Sequence, residues 1–198
     1  VMLGNPTEIM TAFSKITGTS PMMPKWSLGF SNFEWGINES ELTQTVDTYR
    51  AKNIPIDGYA FDYDWKDYGE DNYGEFRWNT DNFPSASSDT LKQTMSSKGI
   101  KMIGITKPRV VTTLEDGTQT QQGAYAQEHG FYYPGHNSYL DYFVPVTVQS
   151  IDPYHADQRT WWWSHSQDAF DKGIVGWWND ETDKVSSNGA EYLFGNYT

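Results

Sequence analysis

The chain has 198 residues, is 37% apolar and 16% aromatic, and carries a formal charge of -12 at pH 7, a size and apolar content that suit one compact unit with its own core. That acidity, with few and dispersed Lys and Arg, repels polyphosphate backbones and anionic bilayers, so no nucleic-acid partner is expected. No stretch reaches the roughly 18 apolar residues of a membrane span, the start VMLGNPTEIM lacks the basic and apolar regions of a signal peptide, and the absence of cysteine excludes disulfides, thiolate metal sites and cysteine nucleophiles.

In chain order, SLGFSNFEW (27–35) reads as the first strand. Asn38 with Glu41 three residues on has the pattern of a capping box, and Leu42, Val46 and Tyr49 then give the following helix one apolar face. DGYAFDYDW (57–65) reads as the second strand, a helix from Ser88 to Lys98 turns Leu91 and Met95 inward, and KMIGIT (101–106) is the third strand. A helix from about Asp157 to Lys172, with Trp162, Trp163, Ala169 and Phe170 available for packing, precedes the fourth strand, IVGWWND (174–180). The junctions share a pattern: Lys52-Asn53-Ile54, Lys98-Gly99-Ile100 and Lys172-Gly173-Ile174. Lys suits the negative helix end, Gly or Asn tolerates the left-handed position after it, and Ile opens a strand. Repeated β/α units of this kind predict a parallel sheet.

Two connections are too long for plain turns: Trp65 to Pro84, rich in Asp, Tyr, Gly and Asn, and Lys107 to Pro153, with the polar patch EDGTQTQQG and then an aromatic run. Long loops after strands are where such folds place their sites. No Gly-rich dinucleotide or phosphate loop is present, and no cofactor is expected.

Active sites of parallel β/α folds lie beyond the C-terminal strand ends. Here those ends read Glu34-Trp35, Asp62-Tyr63-Asp64-Trp65, Lys107 and Trp178-Asn179-Asp180, so carboxylate and Trp recur together. Such a rim suits glycoside chemistry: a carboxylate stabilises or captures an oxocarbenium-like centre, and Trp walls position the sugar. Asp180 is the candidate nucleophile, followed by two further carboxylates, Glu181 and Asp183, with Trp177 and Trp178 as packing and wall and Asn179 as a polar neighbour. Trp178 and Asp180 fall on the same side of their strand. No metal is expected: the four His show no zinc-ligand pattern, His155 and His165 read as polar surface groups, and Asp62-x-Asp64-x-x-Asp67 lacks the ligands of a calcium loop.

The chain resembles the catalytic (β/α)8 barrel of the family 31 glycoside hydrolases, the retaining α-glucosidases, α-xylosidases and related transglycosidases. MPKWSLGFSNFEWG resembles the family's first barrel strand, IPIDGYAFDYDW with GEFRWNTDNFP its second strand and loop, KGIKMIGITKPRV its third, and GIVGWWNDETD its fourth. The resemblance implies an α/β fold, the first half of a (β/α)8 TIM barrel of about four β/α units with a long insertion after strand 3. Residues 1–198 are then the N-terminal part of a family 31 catalytic barrel, and 107–153 an inserted loop subdomain. It implies Asp180 as nucleophile, Trp178 as a wall of the subsite for the cleaved sugar, Asp62 as a ligand of that sugar's hydroxyls and Trp35 as a pocket aromatic, with Asn179 and Asp64 completing the substrate-binding set. Glu181-Thr182-Asp183 stands where many members read Met-Asn-Glu, and Lys107-Pro108 where Asp-Pro or Asn-Pro is common. The general acid/base is expected beyond Thr198, so the chain reads as a segment of a larger enzyme whose partners are a glycoside or oligosaccharide substrate and the rest of the parent chain.

The expected activity is that of a retaining exo-acting α-glycosidase acting on α-glucosides. A transglycosylase or an α-N-acetylgalactosaminidase of the same family is the alternative, and a non-catalytic carbohydrate-binding module is the alternative from another class. Acidity and lack of cysteine lean toward an extracellular or cell-surface bacterial protein.

Overall fold

The computed structural model describes residues 3–181. Its elements in chain order are α1 (Pro6–Thr17), β1 (Ser31–Glu34), α2 (Glu39–Ala51), β2 (Gly58–Phe61), α3 (Thr90–Ser97), β3 (Lys101–Thr106), β4 (Arg109–Thr113), α4 (Gln121–Glu128), β5 (Tyr139–Leu140), β6 (Thr147–Ser150), α5 (Ala156–Asp171) and β7 (Ile174–Asn179). β1, β2, β3 and β7 form a parallel sheet in that order, with α2, α3 and α5 supplying the crossovers. This is the first half of a β/α barrel.

Local chemistry places these helices. Asn38 caps α2 by accepting from the Ser40 and Glu41 amides, and Glu41 reaches back to the Asn38 amide. Lys52, Lys98 and Lys172 are the C-caps of α2, α3 and α5. After each cap the chain turns left-handed, at Asn53 (φ 55°), Gly99 (φ 71°) and Gly173 (φ 111°), before entering the next strand. At Gly173 the positive φ is what calls for glycine; a Cβ there would also stand 2.6 Å from Met102 Cε, the flexible end of a side chain that would have to shift.

Register and alternation sort the strand side chains onto two faces. Tyr59, Phe61, Met102 and Ile174 meet Leu42, Val46, Leu91, Met95 and Ala169 of the helices in a buried cluster that also takes in Trp65, Trp78 and Phe83. Each such side chain contributes about 1.5–3 kcal/mol on full burial. The opposite face, which becomes the barrel interior, carries Phe33 and Trp178, whose rings meet edge to face at 5.7 Å.

The stretch after β3 builds a second, antiparallel sheet, ordered β4-β6-β5, with α4 against β4. Its core is small, consisting of Val111, Val146 and Val148 with a neighbouring aromatic cluster around Phe76, Phe131, Trp161 and Trp162.

Several details differ from the sequence reading. The first strand is shorter than 27–35: Lys25–Leu28 is a 3-10 turn, with Ser27 Oγ donating to the Pro24 carbonyl at 2.8 Å. The second strand stops at Phe61, where Asp62 caps a 3-10 turn over Tyr63–Trp65. Helix α1, headed by a capping box of Asn5 and Glu8, has no counterpart in that reading. His155 and His165 are not free surface groups: His155 caps α5, and His165 stacks on Tyr73 at 3.6 Å, where burial lowers its pKa. Trp163 is 42% exposed and touches Phe170 on the helix flank rather than the core.

Candidate functional site

Three adjacent strands carry chemistry past their C-terminal ends. By alternation Asp62 continues the inner face of β2, Lys107 that of β3 and Asp180 that of β7. Asp180 extends the ladder by one bond, its amide donating to the Thr106 carbonyl at 2.9 Å. Burial raises the pKa of the Asp62 carboxyl, against the Tyr63 amide and Lys107, and the nearby charges of Asp64 and Asp180 push the same way as burial.

Lys107 lies at the centre. Its Nζ stands 2.9 Å from Asp180 Oδ2 and 3.0 Å from Glu181 Oε2, and its side chain is 2% exposed. Burial works against the ammonium, but the Tyr63 hydroxyl and Asp180 outweigh it and hold the lysine above its ordinary pKa. Behind it, Arg109 pairs with both Glu181 and Asp141, also buried. Arg109 is ringed by the hydroxyls of Tyr63, Tyr68 and Tyr139 at 3.3–3.4 Å. Asp141 accepts from the Tyr68 hydroxyl at 2.9 Å and from the Phe143 and Val144 amides at 2.8 and 3.2 Å. This ionic chain ties the loop after β5 to the end of β7.

That loop brings aromatic surface to the mouth. Phe143, half exposed, packs on Tyr63 at 5.5 Å and on Trp35 at 6.2 Å, and Tyr142 beside it is 86% exposed. Trp35, 66% exposed, thus faces the site from the end of β1 beside Phe143, while Trp178 on the inner face meets Phe33.

The structure therefore gathers Asp180, Asp62, Trp35 and Trp178. It separates the others. Asn179 pairs in register with Thr106 and alternates to the helix side. Asp64 Oδ2 accepts from the Gly36 amide at 2.6 Å, locking the loop after β1. Glu34 turns to the helix side, where it accepts from Asn32 and the Tyr59 hydroxyl. Trp65, only 1% exposed, is core, its indole donating to the Ile105 carbonyl at 3.1 Å. Of three acid/Trp pairs read from the strand ends, one is thus fully on the rim. Asp183 lies outside the described residues.

Sequence reasoning missed Arg109, Asp141, Tyr63 and Phe143 as members of the site. Lys107 was visible as a departure from the family pattern, and the aromatic run near 139–143 was visible as composition. Nothing in the order of residues pairs Arg109 with Asp141. Among the described residues no group of three or more His, Cys, Asp or Glu is placed to hold a metal ion, and no helix is long and apolar enough to cross a membrane. The carboxylate of Asp180, beside a buried cation and under aromatic walls, is suited to capturing an electrophilic carbon.

Likeness to known proteins agrees with this geometry. Residues 20–196 match the glycosyl hydrolases family 31 TIM-barrel domain. The whole chain is 69% identical to the 1,6-alpha-glucosyltransferase of Sporosarcina globispora, covering 15% of that protein. It is 27% identical over 88% of its length to Alpha-glucosidase 2 of Bacillus thermoamyloliquefaciens, covering 21% of it. The Flavobacterium johnsoniae GH31 dextranase complexed with glucose superposes with a TM-score of 0.77 at 26% identity, over 94% of this chain and 22% of that one. The chain thus spans about a fifth or less of the length of the two curated relatives.

Proposed function

The chain belongs to the family 31 glycosyl hydrolases, and from that premise we propose that it carries the nucleophile side of a retaining, exo-acting α-glucoside-processing site. The observation that carries this reading is the position of Asp180: a carboxylate at the inner-face end of a parallel strand, 2.9 Å from a buried ammonium and on the same face as Trp178. A carboxylate so placed attacks the anomeric carbon while an acid outside the described residues protonates the leaving oxygen. Asp62, at the end of β2 with β3 between it and β7, binds hydroxyls of the same sugar, and Trp35 and Trp178 wall the pocket. We read 107–153 as an insertion after the third barrel strand that shapes the mouth, and the rest of the parent chain as the source of the acid/base.

The glycosyl ester is resolved by water or by a sugar hydroxyl. The 69% identity to a protein named 1,6-alpha-glucosyltransferase favours the sugar, with the 6-hydroxyl of a glucoside as acceptor. Trapping the complete protein with a 5-fluoro α-glucosyl fluoride, followed by peptide mapping, tests the core of the proposal. The label is expected on Asp180, and Asp180→Asn is expected to lower turnover by several orders of magnitude with folding intact. A label elsewhere removes Asp180 from the mechanism. Saccharide binding without any label leaves a binding module. Products from maltose then separate transfer from hydrolysis.

A further inference from the structure

We propose that Lys107 is the positioning residue of the Asp180 carboxylate, holding one of its oxygens through both covalent steps, and that Glu181 tunes this grip by sharing the same ammonium. The inference rests on the reading of Asp180 as nucleophile. Its ground is geometric: one Nζ lies 2.9 Å from Asp180 Oδ2 and 3.0 Å from Glu181 Oε2, on a side chain that is 2% exposed. The Tyr63 and Phe143 rings, with centroids 4.8 and 5.2 Å from the ammonium, close it off from water. Among the described residues Lys107 is the cation paired with Asp180. The other ionisable groups around the pair are Asp62 with Asp64 from the end of β2, Glu181 from the same turn, and Tyr63, the buried Lys66 and Arg109 behind.

Held at Oδ2, Asp180 offers Oδ1 to the sugar. In the first step an electron pair on Oδ1 forms the bond to the anomeric carbon as the glycosidic C–O bond breaks, the leaving oxygen taking its proton from the external acid. The ester then has its carbonyl oxygen, Oδ2, against the ammonium. In the second step the acceptor oxygen bonds to the anomeric carbon and the C–Oδ1 bond breaks, its electron pair returning to the carboxylate. The acceptor proton passes to the external group, now a base. The negative charge that reappears is spread onto Oδ2 beside Lys107, so the cation assists departure of Asp180 more than its attack.

The test uses the complete protein with an aryl α-glucoside. Lys107→Met is expected to slow the second step about 10- to 100-fold, so that the glycosyl-enzyme accumulates and aryl alcohol appears in a burst. For this variant kcat should fall together with KM, leaving kcat/KM, which reports the first step, within about threefold of the wild type. Glu181→Gln, which leaves the ammonium to Asp180 alone, should shorten the lifetime of the glycosyl-enzyme, and Lys107→Arg should restore part of the wild-type kcat. If Lys107→Met does not fold, Glu181→Gln carries the test alone. A folded Lys107→Met with no burst overturns the inference, as does a Glu181→Gln variant whose glycosyl-enzyme lives as long as that of the wild type or longer. Failure of the underlying reading is distinguishable, because the wild-type label then falls on a residue other than Asp180.

Discussion

In the parallel sheet, α2, α3 and α5 close over Tyr59, Phe61 and Met102 with Leu42, Val46, Leu91, Met95 and Ala169. In the antiparallel sheet that follows, three valines form the core, an aromatic cluster joins Val110 and Ala126 to Trp161 and Trp162 of α5, and the part of the seam nearest the site is polar. Arg109 pairs with Asp141 and Glu181, while Glu75 accepts from the Val111 amide at 3.1 Å and from Gln122 Nε2 at 3.0 Å. The first region is held by a force that is non-directional and roughly proportional to area, so it degrades gradually when a side chain changes. The second depends on groups that are satisfied only as a set, so one missing partner strands a buried charge or donor. The polar seam is also where the site lies, since Arg109 and Lys107 share Glu181.

Arg109→Met should break the comparison most sharply. Asp141, whose side chain is fully buried, would lose its counter-ion, a loss that typically costs about 3–5 kcal/mol. Amide hydrogen exchange should rise throughout β4, β5, β6 and the 141–146 loop while β1, β2 and β3 stay protected. Equal loss of protection in both sheets would show that the seam is not a separate source of stability.

The two regions also differ in how much the sequence discloses. The parallel half is legible because its signals are local: a capping box at Asn38, three Lys-terminated helices each followed by a left-handed Asn or Gly, and KMIGIT, whose strand is Lys101–Thr106 as read. The errors there fall at ends, where Asp62 caps a turn and Ser27 bonds to Pro24, because a single side-chain bond outweighs strand propensity. The antiparallel sheet reads only as a long polar and aromatic connection. Its strands are two to five residues long and its ties run between residues far apart, Arg109 to Asp141 and Tyr73 to Gln122. The candidate site divides the same way: the strand-end residues Asp62, Trp178 and Asp180 can be named from position, whereas the company kept by Lys107 needs the fold.

Leu91→Ala sharpens the apolar side of the contrast. Leu91 is 1% exposed in the helix-facing cluster, and truncation should cost about 3 kcal/mol from lost burial and the cavity left behind. Because the cluster spans α2, α3, α5 and three strands, the loss should appear as a uniform drop in global stability in urea unfolding. No single element should lose protection on its own. Selective loss of protection in α3 alone would mean that the helix layer is less cooperative than its shared core implies.

The smallest change, Asn38→Ala, tests whether environment or chemistry sets these magnitudes. Asn38 Oδ1 accepts from the Ser40 and Glu41 amides at 2.9 and 3.1 Å, and Glu41 Oε2 accepts from the Asn38 amide at 3.0 Å. These are the same kinds of bond that Asp141 makes to the Phe143 and Val144 amides. The cap, however, stands in water, which re-solvates the amides once the side chain is gone, so the expected cost is about 1 kcal/mol. Exchange should quicken in the first turn of α2 only, and Glu41→Gln, which keeps an acceptor in the box, should cost less than Asn38→Ala. A cap loss as large as that of Arg109→Met would mean that hydrogen-bond count, rather than burial, governs the difference between the two sheets.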